Sequence, residues 1–102
     1  MIPPILWTHE EIIRASEGVL LSAGRGASFT GVSIDSRKIS HGELFVAVKG
    51  NIHDGHSFAG EVVRLGIKGL LVNRGEASRF PLDEWNRSGV FCAGVDDTVR
   101  AL

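Results

Sequence analysis

Residues 31–56 read GVSIDSRKISHGELFVAVKGNIHDGH and decide the fold. At their centre, every residue from Leu44 to Val48 is apolar. A strand that is apolar on both faces lies inside a sheet that is covered on both sides. A polar loop with glycines lies on either side of this strand, and the two loops carry Asp35-Ser36-Arg37 and Asp54-Gly55-His56.

The residues after the second loop predict a crossover to a second strand. Phe58, Val62 and Leu65 recur at helical spacing after Ser57, the expected N-cap, and we expect Phe58 to be in the core. The apolar run 69–72 then predicts a strand. A strand, a helix and a strand at this spacing predict a βαβ unit and therefore a parallel pair.

Shorter patterns predict the remaining elements. Thr8 and Glu11 have the spacing of a capping box and predict a helix that ends at Gly18. Further strands are predicted at 19–21, 29–35 and 90–95, with Val32 and Ile34 on a buried face. The fold class is therefore α/β: a single domain over residues 1–102, with a mixed, mostly parallel sheet of roughly four to six strands and helices on its faces.

Composition excludes several classes of function. The 102 residues are 43% hydrophobic and 23% charged, as in a globular domain. With a net charge of −1 and no long basic run, we expect no nucleic-acid partner. No apolar run approaches the ~20 residues of a bilayer span, so we expect no membrane insertion. A lone Cys92 in an apolar run, together with the lack of a signal-peptide pattern, favours a cytoplasmic chain with a buried thiol.

The loop at Asp35-Ser36-Arg37 has two interpretations. Ser36 and Arg37 offer hydroxyl and guanidinium donors that suit phosphate oxygens. Alternatively, the three residues form a turn at a strand end, in which Asp35 accepts backbone N–H groups and Arg37 pairs with a surface carboxylate.

The loop from Gly50 to His56 also has two interpretations. Because it leads into a helix start, its N–H groups could favour an anion, and His53 and His56 could donate to phosphate or stack on a base. Alternatively, it is an ordinary loop whose histidines cap backbone groups.

The spacing of His53, Asp54 and His56 matches no standard metal-ligand set, so we expect no metal. The sequence contains no Ser-His-Asp arrangement, paired-carboxylate site or Walker-type glycine loop, so we expect a binding module with no catalytic residues.

Five ordered blocks resemble the N-terminal domain of the muramyl ligases, the ATP-dependent amide-forming enzymes of peptidoglycan synthesis. The blocks are IDSR at 34–37, GELFVAVKG at 42–50, DGHSF at 54–58, LGIKGLLV at 65–72 and VDDT at 95–98. The resemblance extends over almost the whole chain, since the opening WTHEEIIRASEGVL at 7–20 is also similar to that domain.

The resemblance implies a binding role for the two loops. In this family the first domain holds the UDP end of UDP-N-acetylmuramoyl-peptide. Ser36 and Arg37 would lie at the uridine diphosphate, and the loop carrying Asn51, His53, Asp54, Gly55 and His56 would close over it.

The resemblance also implies that this chain is a fragment of a three-domain ligase. A central domain would bind ATP and Mg²⁺, a C-terminal domain would position the incoming amine, and this domain would hold no cofactor and be inactive alone. Within the family the chain is most similar to the member that adds D-alanyl-D-alanine. The member that adds the third stem-peptide residue remains an alternative, as does a non-catalytic interaction domain without nucleotide binding.

Overall fold

A computed structural model of the chain describes residues 6–25, 28–50 and 54–101. The strands are β1 Trp7–Thr8, β2 Val19–Ser22, β3 Ser28–Phe29, β4 Gly31–Ser33, β5 Glu43–Val46, β6 Gly69–Asn73 and β7 Phe91–Val95. The α-helices are α1 His9–Ser16, α2 Ala59–Arg64, α3 Leu82–Arg87 and α4 Thr98–Ala101, and two 3-10 helices span Gly55–Phe58 and Arg74–Arg79.

The main sheet has the strand order β2-β7-β6-β5-β4. Strands β4, β5, β6 and β7 run parallel to one another, and β2 pairs antiparallel with β7. The predicted mixed, mostly parallel sheet is confirmed, and so is the βαβ unit, because α2 connects the parallel neighbours β5 and β6. Strands β1 and β3 form a small separate antiparallel ladder.

Apolar side chains are buried on both faces of this sheet. On one face Phe45 and Leu70 pack with Val62 of α2 and Trp85 of α3. On the other face Leu44 and Phe91, among others, pack with Ile12 of α1. The interior position predicted for the strand at Leu44 is therefore confirmed, and Cys92 is buried as expected.

The single strand predicted over residues 29–35 is wrong, because this run divides between two sheets. Phe29 pairs with β1, and after Thr30 the chain turns to pair with β5. The predicted burial of Val32 and Ile34 is also wrong, since their exposed fractions are 55% and 57%. Val32 lies in the edge strand β4 and Ile34 directly follows it, and each side chain lines an open cavity.

Two helix predictions also need correction. Ser57 does not cap α2: it lies inside the 3-10 helix, whose N-terminus is capped by the Asp54 side chain. As a result Phe58 precedes α2 with an exposed fraction of 37%, not in the core. The capping box of α1 is confirmed, but the helix ends before Gly18, with Glu17 in the left-handed conformation at φ 57°. None of the helices in the described ranges is long and apolar enough to cross a bilayer.

Candidate functional site

The two polar loops predicted from the sequence meet at one edge of the sheet. They follow β4 and β5, which are parallel neighbours, and ligand sites of open α/β sheets form outside the carboxyl ends of such strands. An open cavity of about 620 Å³ lies between them, within the range of small-molecule sites. Its polar lining consists of the 35–37 turn, Gly50, Gly55 and Glu61.

The 35–37 turn leaves donors available on Arg37. An Oδ1 atom of Asp35 accepts the backbone N–H of Arg37 at 2.9 Å and its Nε at 3.4 Å. The backbone hydrogen bond from Arg37 is the main reason why the pKa of Asp35 is lowered. The Arg37 side chain is 88% exposed, and in the described part of the chain only its Nε has a partner. No other described residue therefore engages its terminal amino groups, which are suited to bind an anion.

Gly55 brings the second loop against the end of β5. Its N–H donates to the carbonyl of Val48 at 2.8 Å. A Cβ at this position would lie 2.8 Å from the nitrogen of Val48, so a larger residue would push the loop away from the strand. The glycine thus allows the backbone to form one wall of the cavity.

His56 lies behind this wall with both ring nitrogens bonded inside the fold. Its side chain is buried, with Nδ1 2.7 Å from Oδ1 of Asp54 and Nε2 3.0 Å from the backbone nitrogen of Asn73. Because Nε2 must accept the Asn73 N–H, the hydrogen-bond network assigns the proton of the neutral ring to Nδ1. The ring also stacks on Phe80. This arrangement attaches the loop to the end of β6 and leaves His56 no ring nitrogen for a ligand.

Asp54 connects the loop to the second 3-10 helix. Its Oδ1 accepts the backbone N–H of His56 at 3.0 Å, and its Oδ2 accepts Nη1 of Arg79 at 2.8 Å. Partial burial raises the pKa of Asp54, but the hydrogen bonds from Arg79 and His56 outweigh that effect and hold its pKa well below the usual range. Arg79 also bonds Glu76 and Ser57, so one guanidinium joins the second 3-10 helix to the first and to its N-cap.

The same network continues across the end of the sheet to α4. The Asn73 side chain accepts the N–H of Thr98 at 2.8 Å, and the Thr98 hydroxyl donates to the carbonyl of Ala47 at 2.6 Å. Thr98 is fully buried, so these bonds satisfy polar groups that have no access to water. The ends of β5, β6 and β7 are thereby fixed relative to one another.

The structure brings some of the predicted site residues together and separates others from them. Ser36, Arg37 and Gly55 line the same cavity, whereas Asp54 and His56 lie behind it and hold the loop. Asn51 and His53 lie outside the described residues. Sequence reasoning missed Arg79 and Asn73. Asn73 ends a strand at the same edge of the sheet, which was a usable signal, but nothing in the sequence near Arg79 indicated its role.

The described residues offer no centre for metal or thiol chemistry. No group of three or more His, Cys, Asp or Glu side chains in residues 6–25, 28–50 and 54–101 could hold a metal ion. Burial raises the pKa of the Cys92 thiol to about 12, which keeps it protonated and unreactive at neutral pH.

Comparison with known proteins gives the family. The family model described as "Mur ligase family, catalytic domain" matches residues 28–90, which include both loops and the strand between them. The chain belongs to the Mur ligase family. The resemblance seen in the sequence blocks is therefore confirmed.

Two groups of curated Mur ligases are similar to the chain. The UDP-N-acetylmuramoyl-tripeptide–D-alanyl-D-alanine ligase of Treponema pallidum is 34% identical over 100 residues, 96% of this chain. The UDP-N-acetylmuramoyl-L-alanyl-D-glutamate–2,6-diaminopimelate ligase of Chlorobaculum tepidum is 49% identical over 43 residues, 42% of this chain.

Solved Mur ligase structures share the fold. MurF from Acinetobacter baumannii matches with a TM-score of 0.74 and 26% identity, and the match covers 98% of this chain. The chain spans 20% of that MurF chain and 22% of the Treponema enzyme. It therefore corresponds to about a fifth of those longer proteins.

Proposed function

We propose that this domain anchors the UDP end of UDP-N-acetylmuramoyl-tripeptide for an ATP-dependent ligase that adds D-alanyl-D-alanine. The observation that carries the proposal is the common cavity between the 35–37 turn and Gly55. It supplies a hydroxyl from Ser36, terminal guanidinium donors of Arg37 that no other described residue engages, and close backbone approach at Gly55, a set of groups that suits a diphosphate.

The loop residues divide into two roles in this proposal. Asn51 and His53 contact the bound nucleotide from the loop that closes over it. Asp54 and His56 set the position of that loop, since their polar atoms bond to Arg79 and Asn73. Binding energy at the UDP end then orients a reacting carboxylate that lies far from this domain.

The extent of similarity supports the D-alanyl-D-alanine ligase over its alternative. The similarity to the Treponema enzyme covers 96% of the chain and thus includes the N-terminal helix region. The matches to diaminopimelate ligases from Bacteroides thetaiotaomicron and Chlorobaculum tepidum cover 60% and 42%. The ligase that adds the third stem-peptide residue is the second candidate, because the Chlorobaculum match has the higher identity, 49% against 34%.

The chemical step is proposed to take place in other domains of a longer chain. The sequence holds no Walker-type glycine loop, and the described residues provide no group of ligands for a metal ion, so ATP and Mg²⁺ would bind a central domain. A C-terminal domain would position D-alanyl-D-alanine. We expect the 102-residue chain alone to bind nucleotide without hydrolysing ATP, in a cytoplasmic enzyme whose lone thiol stays reduced.

Titration of the 102-residue chain with UDP tests the proposal. We expect Ser36→Ala and Arg37→Ala each to weaken binding about five- to tenfold, as for loss of a charge-assisted hydrogen bond. Lys38→Ala is the matched control, because it removes a neighbouring cation that does not line the cavity. NMR chemical-shift changes should concentrate on the 35–37 turn and Gly55.

Two results would count against nucleotide anchoring. If the folded wild-type chain gives no shift changes with millimolar UDP, the interaction-domain alternative is favoured. If Lys38→Ala weakens binding as much as Arg37→Ala, the effect reflects net charge and not the cavity. The choice between ligases needs the intact protein: phosphate release from ATP should depend on D-alanyl-D-alanine and not on a diamino acid.

A further inference from the structure

Part of the lining of the cavity between the two loops does not suit a diphosphate. Ile34 and Phe58 line it with exposed apolar surface. Glu61 of α2 lines it as well, three residues after Phe58 and therefore on the same side of the helical segment. Glu61 is exposed, and among the residues that the structure describes its carboxylate has neither a hydrogen-bond partner nor an ion-pair partner.

A carboxylate can contribute to binding an anionic ligand only if an uncharged part of that ligand donates a hydrogen bond to it. Glu61 would repel the phosphates, and it can only accept hydrogen bonds. A nucleoside diphosphate offers two kinds of donor, the ribose hydroxyls and N–H groups of the base. The N3–H of uracil is flanked by two carbonyl oxygens that would repel a carboxylate. The ribose instead presents two adjacent O–H donors that match its two oxygens, the pairing that acidic residues make in dinucleotide-binding folds.

We infer that Glu61 accepts hydrogen bonds from the ribose hydroxyls of the nucleotide, while Phe58 and Ile34 form an apolar wall for its base. This inference rests on the proposed function and makes the site selective for ribonucleotides. It also accounts for Phe58, which the helical spacing assigned to the core and which lies at the cavity instead.

The sign of a single substitution separates this contact from general electrostatics. If Glu61 acted only through its charge, then Glu61→Ala would strengthen diphosphate binding, because a negative charge leaves the site. If Glu61 holds the ribose, the same substitution weakens UDP binding and leaves 2′,3′-dideoxy-UDP unaffected or slightly stronger.

The test compares two ligands on wild type and four variants by NMR titration of the 102-residue chain. We expect wild type to prefer UDP over 2′,3′-dideoxy-UDP by about tenfold, and Glu61→Ala to reduce that preference to about twofold or less. Glu61→Gln keeps one acceptor oxygen and should give an intermediate preference. Phe58→Ala should weaken both ligands by similar factors, since it removes the wall and not the ribose contact.

Glu84→Ala is the matched control, because it removes an exposed carboxylate that lies on α3 and does not line this cavity. It should leave the preference at the wild-type value. If wild type binds UDP but Glu61→Ala keeps the full preference, or if wild type shows no preference, the ribose contact is overturned while the proposed function stands. If wild type fails to bind UDP, the proposed function itself fails.

Discussion

Replacing Asp54 by Asn tests whether a charged network holds the loop beside the cavity. Asn keeps an acceptor oxygen for the two His56 donors, which lie 3.0 and 2.7 Å from Oδ1. The second oxygen becomes an NH₂ group and faces Nη1 of Arg79 across the 2.8 Å contact. The substitution thus replaces a charge-assisted bond by two opposed donors while the shape of the side chain is preserved.

The magnitude follows from the exposure of the pair. A hydrogen bond between charged groups contributes about 1.5–3 kcal/mol when it is sheltered from water. The Arg79 side chain is 37% exposed, so solvent screening reduces this contribution. We therefore expect Asp54→Asn to lower the free energy of unfolding at pH 7 by about 1–2 kcal/mol and Tm by about 5–10 °C.

The stability difference between wild type and Asp54→Asn should also depend on pH. The pKa of Asp54 is lowered in the folded chain from its ordinary value of 3.8. A lowered carboxyl pKa contributes stability that is complete above the unfolded pKa and is lost as the pH falls towards the folded pKa. The difference in stability between wild type and Asp54→Asn should therefore be constant from about pH 5 to 7 and shrink below about pH 4.

Urea denaturation followed by the fluorescence of buried Trp85 measures this difference at each pH. Asp83→Asn is the control, since it removes an exposed carboxylate of α3 and should change stability by less than about 0.5 kcal/mol. A difference for Asp54→Asn below about 0.5 kcal/mol at pH 7, or one that persists unchanged at pH 3, would refute the reasoning.

Three further predictions concern the fold. Glu17→Gly should raise Tm in a thermal melt and add roughly 0.5–1 kcal/mol of stability, because Glu17 has a left-handed φ of 57° that glycine adopts without strain; a lower Tm would contradict this. Gly69→Ala should cost about 2 kcal/mol or more in urea denaturation, because the new Cβ would overlap the buried ring of Phe29; a loss below 1 kcal/mol would show that the ring moves aside. Cys92 should react with a thiol reagent only as fast as the chain unfolds, since burial raises its pKa to about 12; rapid labelling of the native chain would contradict its burial.

The sequence predicts the layers of this fold because their signals are local. The apolar run at Leu44 and the strand–helix–strand spacing after it specify an interior strand and a parallel neighbour reached through a helix, whatever the rest of the chain does. The division of residues 29–33 between two sheets is not local. It depends on the pairing of Phe29 with Trp7 and of Gly31 with Glu43, and alternation in sequence does not encode those partners.

The difference between local signals and distant pairings also explains which part of the candidate site can be predicted from the sequence. The composition of the two loops correctly placed polar groups at adjacent strand ends, but it could not say which of them face a ligand. Arg37 and His56 looked equally suitable for an anion. They differ because both ring nitrogens of His56 are hydrogen-bonded to Asp54 and Asn73. In the Arg37 guanidinium, Asp35 engages only Nε.

Residues distant in sequence therefore decide whether a polar residue of a motif faces a ligand or bonds within the fold. His56 is held by the backbone of Asn73, 17 residues away, and Asp54 by Arg79, 25 residues away. A buried polar group must be paired, so the polar residues of this motif can serve the fold as readily as they could serve a ligand. The Asp-Gly-His motif is then best understood as the support of a binding loop: Gly55 permits close approach, while its two neighbours fix the loop to the sheet. Removing the support should weaken binding only in proportion to the fraction of molecules in which the loop is displaced, whereas removing Arg37 weakens binding without any loss of stability.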